Sequence, residues 1–174
     1  MIQVISIGLS LFLVWVFVTA AVHKFQARDY YKKLMSSYFE SLPVSRLMVA
    51  TVGSAELFVA ALLILPQSRS AGLLLGALIL SFYAAMMAVQ IKRGRDDIAC
   101  GCAGPASMLT VSPALILRNI LCAVLAAIAG LLPELSSPVL PAYTLAAGMA
   151  AFMVALYVCS DQLIANAQMM AGDY

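Results

Sequence analysis

The sequence predicts an all-α integral membrane protein: a four-helix transmembrane bundle with a fifth, C-terminal span and an amphipathic connector lying along the membrane interface. Three observations carry this reading. Hydrophobic residues make up 64% of the 174 positions and charged residues 10%, and the mean hydropathy is +1.00, too apolar for a soluble domain of this length. The apolar residues fall into runs of about 20, the length a helix needs to cross the hydrocarbon core. Between the runs stand proline, serine and charged residues, so the breaks are chemical.

The first span covers 4–22 and is followed, not preceded, by positive charge. A cleaved signal peptide competes with it, because Thr19, Ala20 and Ala21 are small; the opening Met1-Ile2-Gln3 has no Lys or Arg, which suits a retained anchor. The connector over 25–42 mixes Tyr30, Tyr31, Tyr38 and Phe39 with Arg28, Lys32, Lys33 and Glu40, the composition of a segment with one face in headgroups and one in water. Spans follow at 44–65, 70–91 and 113–132. Pro66, Gln67, Ser68 and Arg69 end the second, and Lys92, Arg93, Gly94, Arg95, Asp96 and Asp97 end the third. Ser112 and Pro113 start the fourth as N-cap and first helical residue, and Pro133 with Glu134 closes it. After Ser136, Ser137 and Pro138 a fifth span covers 142–159, with Ala146, Ala147, Gly148, Ala150 and Ala151 suited to close packing in lipid, then a polar tail from Ser160 and Asp161. The whole of 1–174 reads as a single polytopic domain.

The formal charge of +2 is small and no basic run tracks a phosphate backbone, so nucleic acid is excluded as a partner. Placement of charge says more. Lys24, Arg28, Lys32, Lys33 and Arg46 surround the first connector and Lys92, Arg93 and Arg95 the third, with Arg118 just inside the next helix; the second connector has Arg69 alone and the fourth has none. On the positive-inside rule the first and third connectors face the cytoplasm.

Chemistry concentrates in "DDIACGCAGP", residues 96–105. A disulfide between Cys100 and Cys102 would close a very small ring, strained and easily reduced, which suits exchange better than architecture. Gly101 and Gly104 let the turn bend. Two other readings stay open: loop cysteines without a role, and a soft-metal site of two thiolates lacking further ligands. Arg118, in the second turn of the fourth span, is expected to lean back toward this loop and favour a thiolate, or else to snorkel to headgroups. Glu56 is an acid deep in the second span, an expensive residue in lipid, with His23, Lys24 or Arg118 as candidate partners. Cys122 and Cys159 read as small buried hydrophobes. No residue pattern marks a cofactor site; a quinone is compatible with a membrane dithiol, but the sequence does not support one.

His23-Lys24-Phe25, Glu56, the loop from Asp97 to Pro105 and Arg118-Asn119 together resemble the MauE methylamine-utilisation membrane proteins, relatives of the DoxX-like group. The resemblance covers nearly the whole chain. Ala103 departs from it, where an aromatic is expected, which leaves the packing of the loop in doubt. The resemblance implies a bacterial inner-membrane protein needed to make the β subunit of periplasmic methylamine dehydrogenase, acting with a thioredoxin-like partner of the MauD type. Cys100 and Cys102 would be the exchanging pair and Arg118 would tune them. Periplasmic exchange conflicts with the cytoplasmic side that the Lys/Arg distribution assigns to the loop. A small-solute or metal transporter using Glu56 and Arg118, and a membrane scaffold without chemistry, are the alternatives.

Overall fold

The computed structural model describes residues 2–39, 43–101, 104–105, 107, 109–132 and 140–172. Cys102, Ala103, Glu40, the helix stop at 133–134 and the break at 136–138 lie outside the described residues. The chain is an all-α membrane protein. Among the described residues six α-helices follow in order: α1 Ile2–Gln26, α2 Arg28–Tyr38, α3 Arg46–Ile64, α4 Arg69–Lys92, α5 Pro113–Leu131 and α6 Leu140–Gly172. Five of them, all but α2, are long and apolar enough to cross a membrane.

α1, α3, α4 and α5 form the bundle, and α6 lies along α1. Leu13, Phe17, Leu63, Leu73 and Ala126 meet at its centre. Outward residues such as Leu47, Phe58, Leu78 and Phe152 are exposed, which water would penalise and hydrocarbon does not. Ser45 caps α3 by accepting a hydrogen bond from the Met48 amide at 3.2 Å. Ser112 stands at the N-cap of α5 with Pro113 following, as expected, but its hydroxyl makes no capping bond.

α6 departs most from expectation. It continues for 33 residues, through Ser160 and Asp161, where the sequence suggests a polar tail. Those polar groups are satisfied by neighbours: Asp161 by Arg118, and Gln168 by the backbone of Thr110 through two bonds of 3.0 and 3.2 Å. Of Ala146, Ala147, Gly148, Ala150 and Ala151, only Ala146 and Ala150, one turn apart, are buried. The close approach is made by Gly8 of α1, where a Cβ would lie 3.0 Å from the Ala146 carbonyl oxygen. Cys122 packs against the core, whereas Cys159 is exposed on α6. Cys159 is therefore not the buried residue the sequence suggested.

α2 crosses one end of the bundle and meets the 93–112 segment there. Arg95 donates to the Ser37 carbonyl at 2.9 Å and Gln90 donates to that of Tyr38 at 3.4 Å. The basic ends of α1 and α4, the cysteine loop and the end of α6 therefore share one end, and Arg69 stands at the other. Single-cysteine reporters near Lys32 and Arg95 are accordingly expected to label from the same side of a sealed vesicle. Labelling from opposite sides would break this arrangement.

Candidate functional site

The segment around Cys100 is built like a short hairpin. The Cys100 amide donates to the Leu109 carbonyl and the Val111 amide to that of Ile98, both at 2.9 Å, framing an isolated antiparallel bridge between Ala99 and Thr110. Ile98, Leu109 and Val111 bury themselves against Met87 and Leu115. This gives the loop its own small apolar core, and Cys100 packs on it. Gly101 and Gly104 have φ of +77° and +89°, a region that side chains rarely adopt. Both also touch neighbours closely: a Cβ would lie 2.5 Å from the Leu34 side chain at Gly101, and 2.9 Å from the His23 ring at Gly104. The loop thus seats on α2 and on the end of α1.

The Cys100 sulfur lies 3.7 Å from the Met87 sulfur. Nearby, the Tyr30 phenol is held above its usual pKa, by burial first and by the charge of Cys100 second. Tyr31 is buried and donates to the Gly101 carbonyl at 3.0 Å, and Tyr38 donates to that of Ala99 at 3.2 Å. Two tyrosines of the connector, read from sequence as interfacial anchors, therefore hold the backbone on either side of Cys100.

Beneath Tyr31 lies the intramembrane pair. Lys24 donates to a Glu56 carboxylate oxygen at 2.8 Å, and the Tyr83 hydroxyl donates to the same oxygen at 2.5 Å. Both charged residues are buried, Glu56 at 0% exposure and Lys24 at 6%. The Lys24 ammonium also lies 5.4 Å from the Tyr31 ring centre and 5.7 Å from that of Tyr83, within cation–π range. Of the three candidate partners for Glu56, the structure selects Lys24, whose long stem reaches inward from the helix end. His23 goes to the loop instead, its ring against Gly104.

Arg118 does not point to the cysteine loop. Its guanidinium bonds to Asp161, donates to the Ser160 hydroxyl at 3.3 Å and lies 4.0 Å from the Tyr157 ring centre. The continuation of α6 presents a carboxylate that competes successfully for the cation. Tyr31, Tyr83, Met87 and Asp161 were missed as site residues. Tyr83 carried a signal, because a hydroxyl deep in an apolar span must find a partner.

Two cavities flank the ion pair. One, of about 540 Å³, lies inside the bundle and is lined by His23, Asn119 and Asp161 among apolar residues. The second Glu56 oxygen, His23 Nδ1 and the Asn119 amide nitrogen are buried without a hydrogen-bond partner among the described residues, so polar contents are favoured there. The other cavity, of about 420 Å³, is largely apolar and reaches Cys100 between α2, α3 and α4. Lys24, Glu56 and Tyr83 line both. No group of three or more His, Cys, Asp or Glu side chains suited to a metal occurs among the described residues.

Fold and site together define a multi-pass helical membrane protein with a cysteine loop packed over a buried ion pair. The family model described as methylamine utilisation protein MauE matches residues 2–133, and the chain belongs to that family. The match includes the loop and α1 to α5 and leaves α6 beyond it. The methylamine utilization protein MauE of Paracoccus denitrificans is 34% identical over 122 residues, which is 68% of this chain and 64% of that relative. The chain thus aligns over just under two thirds of that relative's length. No solved structure matches the chain.

Proposed function

We propose that this protein is a bacterial inner-membrane accessory of methylamine utilisation that exchanges disulfides through Cys100 and Cys102 during maturation of the methylamine dehydrogenase β subunit. A thioredoxin-like protein of the MauD type would be its exchange partner. The observation that carries the reading is the mounting of Cys100. Backbone pairing on Leu109, the tyrosine clamps and two left-handed glycines hold one member of a Cys-x-Cys pair in a defined loop at the end of the bundle. A loop cysteine without a role needs no such support. Family membership supports the pathway, and the strain of so small a ring supports exchange.

Exchange proceeds by attack of a thiolate on one sulfur and departure of the other, through a mixed disulfide that the second cysteine resolves. Removing the resolving cysteine strands the intermediate. Cys102→Ser is expected to accumulate a reducible adduct with the thioredoxin-like protein on non-reducing electrophoresis, and either Cys100→Ser or Cys102→Ser should lower mature β subunit without lowering its transcript. Normal β subunit and no adduct in both variants would overturn the reading. Alkylation of Cys100 from one side of the membrane would place the loop in the periplasm or the cytoplasm. A second reading, transport of a small solute, draws on the polar cavity beside Glu56; loss of uptake in Glu56→Gln with normal β subunit would favour it.

A further inference from the structure

We propose that the apolar cavity beside Cys100 is a binding site for a lipophilic quinone, which takes electrons from the Cys100–Cys102 dithiol. The inference rests on the exchange reading above and names the redox acceptor that reading lacks. A pair that oxidises a partner becomes a dithiol and stops until something reoxidises it. The acceptor must be reachable from the loop, and the loop sits on a membrane protein's apolar cavity.

Four features of that cavity fit a quinone. Its volume of about 420 Å³ lies within the usual range for organic ligands, roughly 300–1,000 Å³. Its walls offer aromatic rings and thioethers, including Tyr38, Phe39, Phe82 and Met86, surfaces on which a flat, polarisable ring stacks. Met48 and Phe82 line it and are also exposed, at 38% and 54%, so the cavity opens toward lipid between α3 and α4. An isoprenoid tail would leave through that opening into the hydrocarbon. At the inner end stand Lys24 and Tyr83, whose ammonium and phenol donate to Glu56 and are the hydrogen-bond donors within reach of a quinone oxygen as negative charge develops on it.

The same three residues form the wall shared with the polar cavity. The second Glu56 oxygen, buried and without a hydrogen-bond partner among the described residues, is therefore placed to accept a hydrogen bond from a hydroxyl of the quinol as it forms. The reaction balances: two cysteine thiols and one quinone give one disulfide and one quinol. Two S–H bonds break, one S–S bond forms, and the two electrons and two protons convert two carbonyls to hydroxyls. Cys100 lines the cavity and is the sulfur that meets the quinone.

The test uses the full chain in nanodiscs of quinone-free phosphatidylcholine. The protein is reduced on an immobilised phosphine, separated from it and mixed with decylubiquinone; quinol is followed by absorbance, and thiols by alkylation and mass mapping. One quinol should form for each pair of thiols lost at Cys100 and Cys102. Ala55, on the exposed side of the same cavity, gives the blocking variant: Ala55→Trp should slow quinol formation at least tenfold, and excess decylubiquinone should protect α3 and α4 of the wild-type chain from a photoreactive azidoquinone. Exchange with the thioredoxin-like partner is measured on the same preparation. Exchange without quinol formation overturns this inference and leaves the exchange reading standing; absence of both overturns both. Quinol formed equally fast in a folded Ala55→Trp, or azidoquinone labelling that decylubiquinone does not suppress, places the reaction elsewhere and overturns the site.

Discussion

Lys24→Met is expected to destabilise the bundle by about 3–5 kcal/mol, the usual cost of leaving one member of a buried ion pair uncompensated. Glu56 is fully buried, with one oxygen held by Lys24 and Tyr83. Without the ammonium it must take up a proton or draw water into the bundle, and either change costs free energy. Glu56→Leu alone should be comparably harmful, because it strands Lys24 between two aromatic rings. The double variant, Lys24→Met with Glu56→Leu, is expected to recover most of the loss, since two apolar side chains of similar size pack well where a salt bridge stood. Thermal unfolding in detergent, with gel filtration to verify monodispersity, measures all three. A single variant as stable as the wild type would mean that the pair does not brace α1 against α3. Recovered stability without recovered maturation of the β subunit would mark the pair as functional as well as structural.

Arg118→Leu is expected to release the second half of α6 from the bundle, at a cost of about 1–3 kcal/mol, because Asp161 then loses its part-buried counter-charge. The two side chains are 11% and 14% exposed, and the guanidinium also faces Tyr157. Hydrogen exchange should accelerate through the part of α6 that follows Tyr157 while the core of α4 stays protected. Replacing Asp161 by Leu in the same chain should restore protection. The alternative role for Arg118, as electrostatic tuner of the thiols, predicts something different: slower alkylation of Cys100 in Arg118→Gln. With the cation already neutralised by Asp161, little change in that rate is expected. A severalfold fall would show that its charge reaches the loop.

Much of this protein was legible in the sequence because the membrane makes sequence unusually informative. Each span must satisfy its own backbone and present apolar side chains over about 20 residues, so composition alone located α1, α3, α4 and α5 to within a few positions. The connector read as amphipathic became α2, and the alternation of Lys and Arg anticipated that the first and third connectors meet at one end. Glu56 stood out because a carboxylate in hydrocarbon always requires an explanation. A local pattern was enough for each of these.

Where a side chain goes when several partners compete is decided by three-dimensional packing, which no local pattern encodes. Glu56 had three candidate cations, and the approach of α1 to α3 with the reach of a lysine stem selected Lys24. Arg118 had the helix geometry to lean toward the cysteine loop, yet α6, arriving from 43 residues away in sequence, set Asp161 against it. Tyr31 looked like an interfacial anchor until α2 folded across the bundle end and turned it inward to Gly101, 70 residues distant. The two cavities likewise exist only between helices. The sequence by itself determined the spans, the cysteine pair and the buried acid, because each follows from transfer of a residue between water and lipid; the tertiary structure alone decided the ion-pair partners and what Cys100 faces, because those depend on which helices come to lie side by side.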